Sequence, residues 1–440
     1  MGRTSAEVIQ QNRDYTLFPW SVQSLADPIH LVRGKGVWFW DGDGNRWLDL
    51  CSQLMNLNIG HHHPKVIEAI KRQVDTLCFA GPSFASEPRG ELGQKLAEVT
   101  GLAKTFFCLG GTDSNESAMK IARTYTGRSK IITRYRSYHG DTMGSMSAGG
   151  DFRRWPVEPG VPGMVRVFDP YCYRCPFGKT VASCNRECVG HIEEVIQMEG
   201  PQNIAAMLAE SITGTNGLLV PPDDYFSRLR ALLDKYGILL IDDEVMAGFG
   251  RTGRWLATQH YGIKPDIVTC AKGLTSGYMP LGAVIVSKEI ADFLENNMLW
   301  TGLTYSGHPV SCATAVAMLN VYEEEKVFEN VERQGAYLGE RLEVMKEKHP
   351  CVGDVRYIGL FSMIELVRDK TTKEPLAPYA GSSPEMAALY TFLRKRLIYT
   401  YMRMNVCFVA PPLIISQDEL RYGLDVVDEA LTEIDKILAG

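Results

Sequence analysis

The sequence lacks the long apolar runs that membrane proteins need. Its 440 residues contain no uninterrupted apolar stretch that approaches the roughly 18 residues of a membrane-spanning helix, and the N-terminal residues are too polar for a secretory signal. The sequence also lacks an excess of basic residues, because 46 lysines and arginines accompany 52 aspartates and glutamates. Proteins that bind nucleic acid usually carry a basic footprint. We therefore expect a cytoplasmic protein that binds neither membrane nor nucleic acid.

The cysteines do not form the pattern of a disulfide framework. There are 11 of them, an odd number scattered through a long chain, which favours reduced thiols in a reducing compartment. Four are grouped as Cys172-x-x-Cys175 and Cys184-x-x-x-Cys188, a spacing that also permits a structural zinc site. Reduced thiols are the favoured interpretation, zinc is the alternative and a disulfide is the least favoured. No metal is assigned to the chemistry.

The stretch 237–286 holds the strongest functional pattern. An apolar run at 238–241 ends in three acidic residues that include Asp243, and a second run at 267–270 is followed by Lys272. Both runs are typical of buried parallel strands. Ligands of open α/β sheets bind beyond the carboxyl ends of the strands. Asp243 and Lys272 are therefore predicted to converge on one crevice.

A lysine in such a crevice is suited to covalent catalysis. Between Ala271 and Gly273 the Lys272 amine would be poorly hydrated, which lowers its pKa and makes it a nucleophile toward a carbonyl. Pyridoxal phosphate (PLP) is an aldehyde that bonds to lysine and whose ring nitrogen needs an acidic partner. A lone lysine at a strand end is usually solvated. Whether Lys272 is catalytic therefore depends on the motif around it.

This stretch resembles class III aminotransferases of the PLP fold-type I superfamily. Their pattern D-E-V-x-x-G-F-G-R-T-G, followed by a strand and the Schiff-base lysine, is matched from Asp243 to Gly253 and at Lys272. The resemblance covers nearly the whole chain. It implies an α/β fold in which a large domain has a mainly parallel seven-stranded sheet flanked by helices, and a smaller α+β domain is built from both termini. The expected divisions are an N-terminal segment at 1–60, the large PLP-binding domain at 61–330 and the small domain at 331–440.

The resemblance also implies which residues bind the cofactor. A glycine-rich turn follows a short predicted strand and opens a helix, and such turns bind phosphate through free N–H groups and the helix dipole. Gly111 and Thr112 match the family's phosphate cup in this turn. The remaining carried-over positions are Tyr138, which stacks on the cofactor ring; His139, placed nearby; Glu210, on the substrate side; Asp243, the partner of the ring nitrogen; Val245, on the other ring face; and Lys272.

A further set of residues is implied for the substrate and for the partner subunit. Phe18 and Trp20 lie in a segment that covers the active site in the family, and Met55 stands where the family often has an aromatic residue. Arg403 is the nearest arginine before A-P-P-L, and a guanidinium suits a carboxylate or sulfonate. Thr304 lies in T-x-S-G-H-P, whose threonine reaches the neighbouring subunit's phosphate in the family. A homodimer with shared sites, or a tetramer, is therefore expected.

The function implied is that of an ω-aminotransferase. It would move an amino group from an amine or ω-amino acid, such as β-alanine, taurine, 4-aminobutyrate or an arylalkyl amine, to pyruvate or 2-oxoglutarate by a ping-pong mechanism. A PLP-dependent decarboxylase or aminomutase would use the same residues and stays open. A catalytically silent binding protein would be expected to lose Lys272 or Asp243. A nicotinamide dehydrogenase would need a G-x-G-x-x-G after an early strand, which is absent.

Overall fold

The computed structural model describes residues 3–440, and its N-terminal part contains an unexpected helix. This helix, α1, buries no residue and begins at a capping box: the Glu7 N–H donates to the Thr4 hydroxyl, and the Thr4 N–H donates to the Glu7 carboxylate. Strands β2 and β3 form a hairpin, in which they pair antiparallel. The elements of this part are α1 (Ser5–Tyr15), β1 (Leu31–Lys35), β2 (Trp38–Asp41), β3 (Arg46–Asp49), α2 (Ser52–Met55), α3 (Pro64–Thr76) and α4 (Glu87–Thr100).

The middle of the chain builds a seven-stranded sheet with the order β4-β10-β9-β8-β7-β5-β6. Only β10 runs antiparallel to its neighbours, and the other pairs are parallel. The predicted mainly parallel sheet is thus confirmed. Its elements are β4 (Lys104–Cys108), α5 (Gly111–Thr126), β5 (Lys130–Arg134), α6 (Met143–Ala148), β6 (Met164–Val167), α7 (Glu187–Glu199), β7 (Ile204–Ala209), α8 (Tyr225–Tyr236), β8 (Leu239–Asp243), β9 (Ile267–Cys270), β10 (Gly282–Val286), α9 (Lys288–Leu294) and α10 (Pro309–Glu324).

Apolar clusters bury both faces of this sheet. Successive side chains of a strand point to opposite faces, and in β8 Ile241 packs in the cluster that holds Ile121 of α5, whereas Leu240 packs in the cluster that holds Leu229 of α8. Strands covered on both sides consist of continuous apolar residues. This explains why 204–209 and 267–270 carry no polar alternation.

The C-terminal part contains a second sheet and rejoins the N-terminal hairpin. Strand β14 pairs parallel with β3, while β11, β12, β16 and β15 form a separate sheet with β13 at its side. No helix within residues 3–440 is both long and apolar enough to cross a membrane. The elements are α11 (Val327–Lys348), β11 (Val352–Ile358), β12 (Phe361–Asp369), β13 (Glu374–Pro375), α12 (Pro384–Lys395), β14 (Ile398–Tyr399), β15 (Met402–Arg403), β16 (Val406–Val409) and α13 (Gln417–Ala439).

A buried arginine joins the N-terminal and C-terminal parts of the chain. Arg251 of the G-F-G-R-T-G motif donates through Nη1 to the carbonyl oxygens of Leu360 (3.0 Å) and Pro411 (2.6 Å). Its Nη2 donates to Ser52 Oγ (3.0 Å) and Asn58 Oδ1 (2.8 Å). Burial lowers the pKa of Arg251 to about 10. Each buried polar atom left without a partner would cost about 1–3 kcal/mol, so this residue fixes the position of the N-terminal segment.

Candidate active site

A cavity of about 930 Å³ lies beyond the carboxyl ends of β8 and β9. This is the place where ligands of open α/β sheets bind. Phe18 and Thr304 are not among the residues that line the cavity of their own chain, although Pro19 is. The sequence-predicted residues that do line it are Trp20, Met55, Gly111, Thr112, Tyr138, His139, Glu210, Asp243, Val245, Lys272 and Arg403.

Lys272 stands in a tight turn directly after β9. Its φ of +38° is left-handed, a conformation that costs free energy for a residue with a side chain and is often found at functional sites. The turn is held in place by the Tyr322 hydroxyl, which donates to the Gly273 carbonyl oxygen at 2.6 Å. Burial lowers the pKa of the Lys272 amine, while the charges of Asp243 and Glu210 oppose this shift. A larger neutral fraction makes the amine a better nucleophile.

Asp243 is a buried carboxylate held by three donors. Its Oδ2 accepts from Asn115 Nδ2 at 2.8 Å and from His139 Nδ1 at 2.7 Å, and its Oδ1 accepts from the Val245 N–H at 3.0 Å. Only 3% of the residue is exposed. Because a carboxylate can only accept, His139 carries its proton on Nδ1 in this contact. The carboxylate is therefore fixed in one orientation at the cavity wall.

Asn115 is a site residue that the sequence analysis did not single out. It lies on α5, and its Nδ2 donates to Asp243 and to the His139 carbonyl oxygen, while Thr269 of β9 donates to its Oδ1 at 2.7 Å. Because the carboxylate and the carbonyl oxygen can only accept, they set the orientation of the amide. The sequence signal that could have found it is a polar residue on the face of α5 that packs against the sheet.

The glycine-rich turn at the start of α5 has no room for a larger residue. A Cβ on Gly111 would lie 2.8 Å from Cγ1 of Val245, far inside van der Waals contact. Helix α5 begins at Gly111, and its first N–H groups have no partners within the helix, which makes this end suitable for binding an anion. Thr112 presents its hydroxyl beside the same turn, where it accepts from the Asp141 N–H at 3.2 Å.

Glu210 follows β7 and carries a strongly perturbed carboxyl group. Its two oxygens accept from the N–H groups of Tyr138 (3.2 Å) and Gly214 (2.7 Å). Burial raises its pKa to about 7; the positive charge of His139 opposes this and the negative charge of Asp243 adds to it. The group can therefore change its charge near neutral pH. It also fixes the backbone of Tyr138, whose ring lines the cavity.

Two arginines that line the cavity share one buried acid. Asp151 accepts from Arg153 Nη2 at 2.6 Å and from Arg403 Nη2 at 3.0 Å. The guanidinium carbon of Arg153 lies 3.5 Å from the ring centroid of Tyr138, and Trp20 contacts the same ring edge-on at 6.2 Å. Arg153 and Asp151 were not predicted from the sequence, because no motif marks them.

The four grouped cysteines lie away from this cavity. Cys172, Cys175, Cys184 and Cys188 line one small separate cavity, and all 11 cysteines of the chain are free thiols. Within residues 3–440, no three histidine, cysteine or acidic side chains are arranged to hold a metal ion. The cluster therefore plays no part in the site around Lys272.

The donor set of the cavity matches the chemical groups of PLP. A buried amine suits its aldehyde, a fixed carboxylate suits its ring nitrogen, and a helix N-terminus with a glycine that admits no side chain suits its phosphate. Lys272, Asp243 and Gly111 supply these three features. The residues present therefore fit the cofactor.

Known proteins with similar sequences or structures have related activities. A leucine/methionine racemase from Thermococcus litoralis is 37% identical over 426 residues, which cover 96% of this chain and 94% of the racemase. The structure of taurine:2-oxoglutarate aminotransferase from Bifidobacterium kashiwanohense, in complex with PLP and glutamate, is 42% identical, has a TM-score of 0.96 and covers 100% of both chains. An (S)-enantioselective omega-transaminase from Thermomicrobium roseum is 40% identical, with a TM-score of 0.92 and coverage of 99% and 100%.

The chain belongs to the class III aminotransferases. Residues 21–431 match that family, which confirms the resemblance found in the sequence. Together with the site geometry, this makes the protein a PLP-dependent transaminase of the omega type with the fold-type I architecture.

We predict that Lys272→Ala abolishes covalent attachment of PLP and lowers transamination by at least about a hundred-fold, because positioned acid–base groups contribute roughly 10²–10⁴-fold to rates. Borohydride reduction followed by peptide mapping would give a modified peptide in the wild type and none in the variant. Lys288→Ala is the matched control, since the Lys288 side chain is 75% exposed on α9. A modified peptide that persists in Lys272→Ala would assign the role to another lysine.

Proposed function

We propose that the protein transfers the amino group of an acidic ω-amino donor, of the β-alanine, taurine or 4-aminobutyrate type, to pyruvate or 2-oxoglutarate. The observation that carries this proposal is Arg403, whose side chain is only 8% exposed in the cavity wall and whose Nη1 is buried without a partner. A buried, unpaired guanidinium nitrogen is costly. A carboxylate or sulfonate of the substrate would satisfy it.

The roles proposed for the other residues follow from their positions. When bound, PLP supplies the carbonyl that takes up the amino group and the ring that stores the electron pair released at the donor carbon. Lys272 holds the cofactor and moves the proton at that carbon, and Asp243 keeps a proton on the ring nitrogen. The start of α5, with Thr112, binds the phosphate. Tyr138 and Val245 cover the two faces of the ring.

The remaining predicted residues are assigned to the substrate side. Glu210 lies beside Tyr138 and is available to shift charge near the reacting groups. Met55 and Trp20 line the cavity and would shape the space for the donor's carbon chain, with Phe18 covering it from the same segment as Trp20. The aminotransferase that uses taurine and was solved with glutamate supports an acidic donor and a dicarboxylic acceptor.

Racemisation is the second candidate, because the racemase from Thermococcus litoralis covers nearly the whole chain. A racemase inverts an amino acid at its α-carbon and leaves the amino group in place. It would need the same lysine and aspartate, as would a decarboxylase or an aminomutase. Transamination and racemisation therefore differ in whether the amino nitrogen leaves the substrate.

We predict that amino-group transfer dominates. The PLP-loaded protein would be incubated with β-alanine, taurine, 4-aminobutyrate or 1-phenylethylamine and with each oxo acid, and the alanine or glutamate formed would be measured. We expect at least one acidic donor to react about ten-fold faster than 1-phenylethylamine, because only the acid gains a charge-assisted hydrogen bond.

L-leucine and L-methionine would be tested in parallel by chiral chromatography. Formation of the D-enantiomers without any amino-group transfer would contradict the proposal and establish the racemase. Carbon dioxide release or a shifted amino group would indicate a decarboxylase or an aminomutase.

We also propose a cytoplasmic homodimer with shared active sites. Thr304 is exposed and does not line the cavity of its own chain. Beside it, Tyr305 is 54% exposed and packs against Phe79, which is 45% exposed. Exposed aromatic groups that contact one another are typical of interfaces. The free thiols support a reducing compartment.

We predict that two purified heterodimers distinguish shared from unshared sites. In the first, Lys272→Ala is on one subunit and Thr304→Ala on the other; in the second, one subunit carries both changes and its partner is wild type. If Thr304 serves the opposite subunit, the first heterodimer keeps one whole site and the second keeps none. Activity per heterodimer would be about half that of the wild type in the first case and well below this in the second. The reverse order would contradict the cross-subunit role.

A further inference from the structure

The four grouped cysteines surround one small cavity, which we call the thiol cavity. Its volume is about 20 Å³, which is room for about one water molecule. All four thiols are free, and each of the four residues is half-buried. The residues that supply the thiols are Cys172, Cys175, Cys184 and Cys188. A group of this kind combines a sulfur that reacts with an oxidant and a second sulfur that traps the product.

Two separate turns of one loop bring these thiols together. Cys172 begins a short 3₁₀ helix and Cys175 follows its end, and residues three apart in such a helix have side chains on the same side. Cys184 ends a second turn, in which its N–H donates to the Thr180 carbonyl oxygen at 3.0 Å. Cys188 lies in the first turn of α7. Thiols from both turns therefore meet at one cavity.

Cys184 differs from the other three cysteines in its polar contact. Arg186 Nη1 donates to Cys184 Sγ at 2.8 Å, while Arg186 Nε donates to Asp224, which holds the guanidinium in place. No other cysteine sulfur within residues 3–440 accepts a hydrogen bond from a cationic side chain. A cation beside a partly exposed sulfur is the setting in which cysteines react with oxidants, because the thiolate is the nucleophile.

The other cysteines are less suited to start an oxidation. Burial raises the pKa of Cys188 to about 11 and also raises the pKa of Cys172. Cys78 is exposed, but its sulfur has no arginine donor. The remaining cysteines are buried in the body of the protein, where an oxidant has little access: Cys51, Cys108, Cys270, Cys312, Cys351 and Cys407.

We propose that Cys184 is a peroxide-reactive thiol and that a second thiol of the thiol cavity converts its oxidised form to a disulfide. In the first step the Cys184 sulfur attacks one oxygen of hydrogen peroxide. The S–O bond forms, the O–O bond breaks, and the leaving hydroxide takes the thiol proton and departs as water. The sulfur is oxidised and the peroxide is reduced by one electron pair.

The second step closes the disulfide. The second thiol attacks the sulfur of the Cys184 sulfenic acid, so that the S–S bond forms and the S–O bond breaks. The leaving hydroxide takes the proton of the second thiol and departs as another water. An added dithiol reverses the reaction and restores both thiols. The site is separate from the cavity around Lys272, so this inference does not depend on the proposed transamination.

The sequence of the loop allows the disulfide to be mapped directly. Trypsin cleaves after Arg174, Lys179 and Arg186, so that each of the four cysteines falls on a different peptide. The reduced, PLP-loaded protein would be treated with an equimolar amount of hydrogen peroxide, alkylated and digested. We predict the loss of a pair of thiols per chain and a linked peptide pair that contains the Cys184 peptide. Dithiothreitol should restore both thiols.

Three variants test the role of the arginine contact. Cys184→Ser should slow thiol loss at the cavity by about ten-fold or more, because the remaining thiols lack the arginine donor. Arg186→Gln keeps every sulfur and should also slow thiol loss, which would be followed by the mass of the alkylated intact protein. Cys78→Ser is the matched control, since Cys78 is exposed and lies outside the thiol cavity; it should leave the rate unchanged.

Three results would overturn the proposal. The first is a linked peptide pair that lacks the Cys184 peptide, or no thiol loss at the cavity. The second is an unchanged rate in both Cys184→Ser and Arg186→Gln. The third is zinc bound in a one-to-one ratio in the purified protein, by elemental analysis, and absent from Cys184→Ser, because the thiols would then be metal ligands. All three results are independent of whether the protein transfers amino groups.

Discussion

The buried carboxylate of Asp243 is the constraint on which the rest of the site depends. A charge at this depth is stable only when it is fully hydrogen-bonded, and its three donors come from α5, from the loop after β5 and from its own strand end. Asn115 donates to it and to the His139 carbonyl oxygen, while Thr269 of the neighbouring strand donates to the amide oxygen of Asn115. The end of β8, the placement of α5 and the conformation of the loop after β5 are therefore all coupled through the Asp243 carboxylate.

Different parts of the chain supply the side chains of the cavity. Asp243 ends β8 and Lys272 follows the adjacent parallel strand β9, so the sheet itself sets their separation. The position of Arg403 depends on the C-terminal sheet, which Arg251 ties to the N-terminal segment.

The strand pattern and the convergence of Asp243 and Lys272 were predicted from the sequence, but helix α1 and the cluster around Arg153 were not. The strand at 267–270 has the predicted bounds, because short continuous apolar runs have few alternatives in a two-sided sheet. Helix α1 was missed because no face of it is buried and its signal is a capping box. Arg153 was missed because its role comes from stacking on Tyr138 and from an aspartate shared with Arg403, and neither relation leaves a pattern in the sequence.

The central claim is that Asp243 keeps the cofactor's ring nitrogen protonated. Nitrogen NMR of the protein loaded with ring-labelled PLP tests this directly in the wild type, in Asp243→Asn and in Asp242→Asn. Asp242 is the matched control, because it points to the other face of β8 and accepts from Ser211 Oγ at 2.6 Å. The account predicts a protonated nitrogen in the wild type and in Asp242→Asn and an unprotonated one in Asp243→Asn. An unprotonated nitrogen in the wild type, or a protonated one in Asp243→Asn, would contradict it.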